Sequence, residues 1–128
     1  MLTKAFIWAL YLPDYPFLSV EIKARNRYKP DVVQFDDEKE PVFWGEAGQV
    51  RLRKIRTLLR RYRSTHLVFA KWQINLEPFR RILEKETAGR RRSAPVDLIS
   101  IPEDGDERFI RRDGTIRISF KNVSRLRY

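Results

Sequence analysis

Two carboxylates, Asp31 and Glu46, have the residue type and the spacing to hold a cation. They lie in strand-like runs over 31–36 and 41–47, which the acidic segment 37–40 joins. If that segment is a four-residue hairpin loop, Asp31 lies directly opposite Glu46. Opposed residues share one face of a sheet, with β-carbons about 5 Å apart. Because two carboxylates that close repel each other unless a cation or a proton lies between them, the spacing predicts a divalent metal site.

This prediction depends on the length of the loop. A three- or five-residue loop would place the two side chains on opposite faces of the sheet and remove the site. The alternative interpretation is that Asp31 only caps the strand that starts after Pro30, and that Glu46 pairs with an arginine. The spacing of the residues leaves both interpretations open.

A basic amphipathic helix follows Glu46 in the sequence. It begins near Gln49, and apolar residues recur at helical spacing over 50–63. Arg51 points along the apolar stripe in the first turn, where its guanidinium could neutralise both carboxylates or stabilise a phosphate beside a metal ion. The sequence does not decide between these two roles. The apolar stripe consists of Leu52, Ile55, Leu58, Leu59 and Tyr62.

Arginine dominates the basic surface. The chain has 27 Lys and Arg against 17 Asp and Glu, a net charge of +10, which favours a polyanionic partner and nucleic acid first. The planar guanidinium suits phosphate better than an ammonium group does, and such binding weakens steeply with salt. The alternative is an ordinary solvated helix face. The predicted nucleic-acid-binding residues are Arg53, Arg56, Arg60, Arg61, Arg63, Arg90, Arg91 and Arg92.

Patterns along the chain predict an α/β fold. A mixed β-sheet is flanked by two helices and contains at least one strand–helix–strand crossover, all within one domain over residues 1–128. The second helix has Asn75 as its N-cap and Pro78 in its first turn. Further strands are predicted over 65–72 and 96–101, and the segment 88–95 is predicted to be a basic surface loop.

A β-hairpin is predicted at each end of the chain. At the N-terminus, runs over 3–12 and 18–25 flank the turn 13–16. At the C-terminus, runs over 107–112 and 115–120 flank an Asp-Gly turn.

Composition excludes several classes of site. The chain has no cysteine, so it contains neither a disulfide nor a thiolate zinc site, and its single histidine, His66, argues against a catalytic triad. No apolar run approaches the roughly 18 residues of a membrane-spanning helix, and the N-terminal run does not match a signal peptide. We therefore expect a cytoplasmic protein that does not contact a membrane.

At these residues the sequence resembles a nuclease superfamily. A Pro30-Asp31 pair, a short hairpin, an apolar strand that ends in Glu46-Ala47-Gly48 and a basic helix resemble the PD-(D/E)XK superfamily, and within it the YaeQ family of small bacterial proteins. The likeness extends over nearly the whole chain through scattered identities. Outside the hairpin they are Lys4-Ala5-Phe6-Ile7, Arg53-Lys54-Ile55, Leu67-Val68-Phe69-Ala70 and Asp113-Gly114-Thr115-Ile116.

The resemblance implies a restriction-endonuclease-like core with Mg²⁺ or Mn²⁺ bound by the motif acids, here Asp31 and Glu46. In the superfamily, a lysine two residues after the motif acid positions or activates the attacking water, and here that position is Gly48. A further acid is often carried by a helix for which this chain has no room, and Glu21 is the best replacement. The candidates to replace the lysine are Lys54, Gln49 and Arg51.

The sequence is compatible with two functions. The first is a metal-dependent phosphodiesterase that cleaves DNA or RNA, in which the ion polarises the scissile phosphate and activates a water. The second is a non-catalytic module that keeps the nuclease fold and binds nucleic acid or a protein. Terminal strands with alternating apolar residues could also pair across a homodimer.

Overall fold

The structure, a computed structural model, describes residues 2–20, 29–72 and 75–128. In these residues six strands form one mixed sheet in sequence order. The first three strands are antiparallel, the third to the fifth are parallel, and the last runs antiparallel to the fifth. The predicted α/β class is confirmed. The strands are β1 (Ser19–Val20), β2 (Val32–Phe35), β3 (Pro41–Ala47), β4 (His66–Trp72), β5 (Val96–Ile101) and β6 (Ser124–Arg127).

The chain begins with a helix, α1 (Leu2–Tyr11), so the predicted strand over 3–12 and the N-terminal hairpin are wrong. A short apolar run fits a strand or a buried helix equally well, and its aromatic residues favoured the strand. The side chains that α1 buries follow helical spacing and pack on the sheet. They are Phe6, Ile7, Leu10 and Tyr11. Residues 21–28 lie outside the described residues, and they include Glu21 and most of the second strand that is predicted over 18–25.

Two further helices cover the other face of the sheet. The predicted basic helix is present as α2 (Leu52–Arg61), and α3 (Glu77–Thr87) follows β4. The N-cap of α3 is Leu76, one residue later than predicted, although the Asn75 side-chain oxygen still accepts a hydrogen bond from the Glu77 amide at 3.1 Å. In the part of the chain that the structure describes, no helix is both long and apolar enough to cross a membrane.

The C-terminal hairpin is much shorter than predicted. The helix α4 (Gly105–Phe109) occupies part of its first arm, and a single bridge joins Ile110 to Ile116. The predicted turn itself is present, because Gly114 has a φ of +85°. The second arm does not extend as a strand because it ends in a 3₁₀ turn (Phe120–Asn122) that leads into β6.

The sheet separates two apolar layers. On the α1 face, side chains from α1 pack against Phe43, Val68 and Ile99. On the α2–α3 face, Trp44 and Phe69 pack against the two helices. Neighbouring residues of β3 and β4 thus point to opposite layers, as expected for a sheet that is covered on both sides. This alternation fixes the face on which each polar residue of these strands lies.

The buried carboxylate of Asp97 connects four elements on the α1 face. Asp97 is fully buried and accepts hydrogen bonds from Tyr11 of α1 at 2.7 Å and Arg127 of β6 at 2.7 and 3.0 Å. His66 Nε2 of β4 lies 2.7 Å from the same carboxylate, and Tyr15 bonds its other ring nitrogen. Burial alone would raise the pKa of Asp97, but the hydrogen bonds from His66, Arg127 and Tyr11 outweigh it and hold the pKa below its usual value.

Candidate functional site

The hairpin of β2 and β3 has the register that the sequence predicts at its open end. Val32 pairs with Gly45, and beyond this last pair the Asp31 amide donates a hydrogen bond to the Gly45 carbonyl oxygen. The predicted four-residue loop over 37–40 is wrong, because Phe35 pairs with Pro41 and the Asp36 amide donates to the Glu40 carbonyl oxygen, which leaves a three-residue loop over 37–39. The unpaired Val42 is a bulge that restores the predicted register over 32–34. Asp31 and Glu46 therefore lie at the same end of adjacent strands, but the Asp31 carboxylate pairs with Lys4 of α1 whereas Glu46 contacts Trp44 and Lys54 on the α2–α3 face.

The Asp31 side chain is held at this strand end by the backbone of β3. Its Oδ2 accepts a hydrogen bond from the Ala47 amide at 2.8 Å, and its own amide donates to the Gly45 carbonyl oxygen at 3.0 Å. Lys4 of α1 lies 3.6 Å from Oδ1. A quarter of the side chain remains exposed, so a ligand from solvent can reach this carboxylate.

Glu46 is more deeply placed, with only 4% of its surface exposed, on the α2–α3 face. Its Oε1 accepts a hydrogen bond from the Trp44 indole at 2.8 Å and forms an ion pair with the Lys54 ammonium group at 2.6 Å. Burial raises the pKa of Glu46 and the charge of Asp31 adds to the effect, whereas Lys54 and Trp44 oppose it. The Glu46 carboxylate is therefore easier to protonate than that of an exposed glutamate.

Lys71 of β4 lies next to position 48, at which the resemblance implies a lysine. Ala47 pairs with Ala70 in parallel register, so Lys71 lies beside Gly48 on the neighbouring strand. Its ammonium group donates a hydrogen bond to the Gly48 carbonyl oxygen. It also lies 4.5 Å from the centre of the Phe79 ring, which places it on the same face as Glu46. The ammonium group of Lys71 is therefore at the level of residue 48, on the strand next to the one that bears Glu46.

Lys71 is buried, and this changes its chemistry. Burial lowers the pKa of its ammonium group, while the negative charge of Glu46 acts in the opposite direction. One feature of the sequence indicates that Lys71 is unusual, because it is the single charged residue in the otherwise apolar run 67–72. Lysine is almost never buried without a partner, so such a position is a candidate for function.

The backbone explains why position 48 is not itself a lysine. Gly48 has a φ of +82°, in the left-handed region that side chains disfavour, although a β-carbon there would meet nothing within 4 Å. The obstacle is therefore conformational, not a lack of space. A lysine side chain can reach this site from β4 without strain in the backbone of β3.

The other predicted replacements for the lysine lie differently. Lys54 reaches the site and pairs with Glu46, as described above, and also donates to the Lys29 carbonyl oxygen at 3.1 Å. Arg51 is exposed at the N-cap of α2, and within the described residues it forms no ion pair with either carboxylate. Gln49 and Arg51 line a depression of about 320 Å³ that borders Lys71.

The predicted nucleic-acid-binding arginines fall into three groups. Arg56 and Arg60 of α2 share a partner, Glu86 of α3, at 2.8 and 3.8 Å. Arg92 differs from the expectation of an exposed loop residue, because its guanidinium turns inward. It donates to the carbonyl oxygens of Leu59, Tyr62, Thr65 and Ala94 and so completes the C-terminal end of α2. The remaining group is exposed and consists of Arg53, Arg61, Arg63, Arg90 and Arg91.

The donor set fits a small, hard divalent cation. Mg²⁺ is usually bound through one or two carboxylates together with waters and substrate phosphate, so it does not need a cage of protein ligands. Asp31 and Glu46 are the two carboxylates available at this strand end. The described residues contain no cluster of three or more acidic, histidine or cysteine side chains. An ion here would bind through these two acids.

Comparison with known proteins defines the fold. No protein-family model and no curated protein matches the sequence. The crystal structure of the YaeQ protein from Xanthomonas axonopodis pv. citri is similar, with a TM-score of 0.59 and 15% identity. The YaeQ protein from Pseudomonas syringae is also similar, with a TM-score of 0.59 and 14% identity. This chain has the YaeQ fold.

The likeness to YaeQ proteins covers most of this chain but not most of theirs. Each alignment includes 91% of this chain, and it includes 64% of the Xanthomonas protein and 60% of the Pseudomonas protein. The chain therefore spans less than two thirds of the YaeQ proteins that it matches. The predicted resemblance to YaeQ is confirmed at the level of the fold.

Proposed function

We propose that the chain is a metal-dependent phosphodiesterase of the PD-(D/E)XK type that acts on nucleic acid. The observation that carries the proposal is the position of Lys71 beside Gly48, at the end of the strand that bears Glu46. Asp31, Glu46 and Lys71 then supply the two acids and the lysine of that chemistry. A divalent ion on the acid pair would polarise the scissile phosphate and make a bound water more acidic.

Each residue of the proposed site would have a separate role. Asp31 and Glu46 hold the cation, and the indole of Trp44 fixes one oxygen of Glu46. Lys71 stabilises the negative charge that develops on the phosphate, which a buried ammonium group does more strongly than an exposed one. Arg51 and Gln49 border the depression next to Lys71 and contact the neighbouring phosphate or sugar. The exposed arginines of α2 extend this contact along the nucleic-acid backbone.

A second candidate function is a non-catalytic module that binds nucleic acid or protein. The Lys54–Glu46 ion pair favours it, because an internal ammonium group at 2.6 Å already compensates one of the two acids. In this case the pair would stabilise the fold as a partly buried salt bridge, and no ion would be needed. The two candidates differ in whether the acids bind a metal.

Titration with Mn²⁺ tests the proposed metal site. We expect saturable binding of one ion by the full chain in calorimetry, and binding weaker by about tenfold or more in Asp31→Asn and in Glu46→Gln, because each removes one charged ligand. Asp106→Asn is the matched control, since Asp106 is an exposed carboxylate on α4. Equal binding in all four proteins, or none in any of them, would contradict the proposal.

Removing Lys54 separates the two candidate functions. If Lys54 competes with the ion for Glu46, Lys54→Met tightens Mn²⁺ binding by about tenfold, which corresponds to about 1.4 kcal/mol. The measurement is the same titration, with Lys85→Met as a control that removes an exposed charge from α3. If Lys54 is only a structural partner, the variant loses thermal stability, because Glu46 is left buried and unpaired, and it gains no affinity for the metal.

A further inference from the structure

The last 19 residues of the chain carry half of its net charge. Residues 110–128, here called the C-terminal arm, contain six Lys and Arg and a single acid, which gives +5 of the total of +10. The arm includes the short Asp-Gly turn, the 3₁₀ turn and β6. None of its basic residues belongs to the nucleic-acid-binding set that the sequence predicts. The arm is therefore a separate concentration of positive charge.

The arm places its apolar side chains inward, with the exception of Leu126, and its basic side chains outward. Its inward residues pack against the apolar layer beneath α1, and they are Ile110, Ile116, Ile118, Phe120 and Val123. Its outward residues are all exposed, and they are Arg111, Arg112, Arg117, Lys121, Arg125 and Arg127. The packing fixes the arm on the sheet and leaves its basic side chains exposed.

Within the described residues, this surface is hardly neutralised by the chain itself. Arg127 alone pairs with a carboxylate, that of Asp97. The acid of the arm, Asp113, uses one oxygen to accept hydrogen bonds from the amide and hydroxyl of Thr115. Arg125 lies 4.2 Å from the centre of the Phe120 ring, a contact that orients its guanidinium without consuming its charge. On α2, by contrast, Glu86 already compensates two arginines.

Most of the arm lies on the other face of the sheet from Glu46 and Lys71. The arm packs on the α1 face except for Tyr128, whereas Glu46 and Lys71 contact side chains of the α2–α3 face, and Asp31 lies at the strand end beside Lys4 of α1. A partner of the arm therefore does not have to enter the candidate site. The surface needs an explanation of its own.

We propose that the C-terminal arm is a second nucleic-acid-binding surface, which holds the phosphate backbone without reading sequence. Five of its six basic residues are arginines, whose planar forks bind phosphate oxygens in pairs. A membrane would be bound differently, because an interfacial surface inserts several apolar side chains beside its basic ones, and Leu126 is the one apolar side chain of the arm that is exposed. This binding does not depend on the proposed phosphodiesterase activity.

Fluorescence anisotropy tests this surface with a labelled 30-nucleotide single strand and a 30-base-pair duplex, in EDTA. Arg111→Ser with Arg112→Ser is expected to weaken binding about fivefold or more and to reduce the slope of log K against log salt by about 1.5, since two phosphate contacts are lost. The matched control, Arg81→Ser with Lys85→Ser on α3, removes the same charge from the other face and is expected to weaken binding less than about twofold. Both exposed pairs can be replaced without disturbing the core, which circular dichroism verifies.

Three outcomes would overturn this proposal. Equal weakening by the two double variants would mean that binding follows net charge and not the arm. Binding of the chain to phosphatidylserine vesicles, with none to either oligonucleotide, would assign the arm to an anionic membrane. Binding to neither would leave it without a polyanionic partner. Since all measurements are made without metal, they are independent of the Mn²⁺ titrations.

Discussion

Replacing Lys71 by Met is expected to lower metal-dependent cleavage of labelled oligonucleotides by on the order of 10²- to 10³-fold, the usual effect of removing one group that stabilises charge in the transition state. Mn²⁺ affinity should stay within about threefold of the wild type, because Lys71 is not a ligand. Methionine has a similar length and shape and removes a buried charge, so the fold should be retained. Lys85→Met, on the surface of α3, is the control and should cleave normally.

The pH profile provides a second measurement on Lys71. Burial lowers the pKa of its ammonium group, so the charged form is lost at a lower pH than the usual value of about 10.4 for lysine. Because the proposed role requires the charged form, kcat/KM should fall as the pH rises through that lowered pKa. An unchanged rate in Lys71→Met, or a wild-type chain that cleaves neither single-stranded nor duplex DNA or RNA with Mn²⁺, would rule out the proposed catalysis.

The largest expected change in stability is at Asp97. Asp97→Asn leaves the partners of the carboxylate incompletely paired on the α1 face, and removing one member of a buried charged network typically destabilises a protein by about 3 to 5 kcal/mol. Urea denaturation at pH 7 measures this difference in the free energy of unfolding. Glu103→Gln, an exposed acid after β5, is the control and should remain within about 0.5 kcal/mol of the wild type.

The same carboxylate predicts how stability depends on pH. The pKa of Asp97 is lower in the folded chain than in the unfolded chain, where it is about 3.9, so its contribution is complete above that value. As the pH falls below about 4, the unfolded state takes up the proton first and stability is lost. Asp97→Asn should lack this part of the acid dependence. If Asp97→Asn is as stable as the wild type at pH 7, the carboxylate does not stabilise the fold and the prediction is wrong.

Local signals in the sequence were sufficient for the centre of the sheet. The alternation on either side of the loop predicts the register over 32–34, although that register arises from a three-residue loop and a bulge at Val42 and not from the predicted four-residue loop. Helical spacing predicts α2 because its polar and apolar faces differ strongly. These features depend on residues that are close together in the sequence, so one chain without relatives can reveal them.

Features that depend on distant contacts could not be predicted in the same way. The run 3–12 is apolar on most sides, and only its packing on the sheet selects the helix α1. Lys71 lies beside Gly48 because β3 and β4 are parallel neighbours, and the connection through α2 conceals their register. The inward turn of Arg92 likewise depends on carbonyl groups more than 25 residues away.

The left-handed backbone at Gly48 has a consequence for how related chains can be recognised. A lysine at that position would strain the strand end, whereas a lysine one strand away serves the same location with ordinary geometry. Pattern searches that require both groups within three consecutive residues pass over such an arrangement. A search that couples an acid on one strand with a solitary lysine about 25 residues later, across a helical connection, would retrieve it.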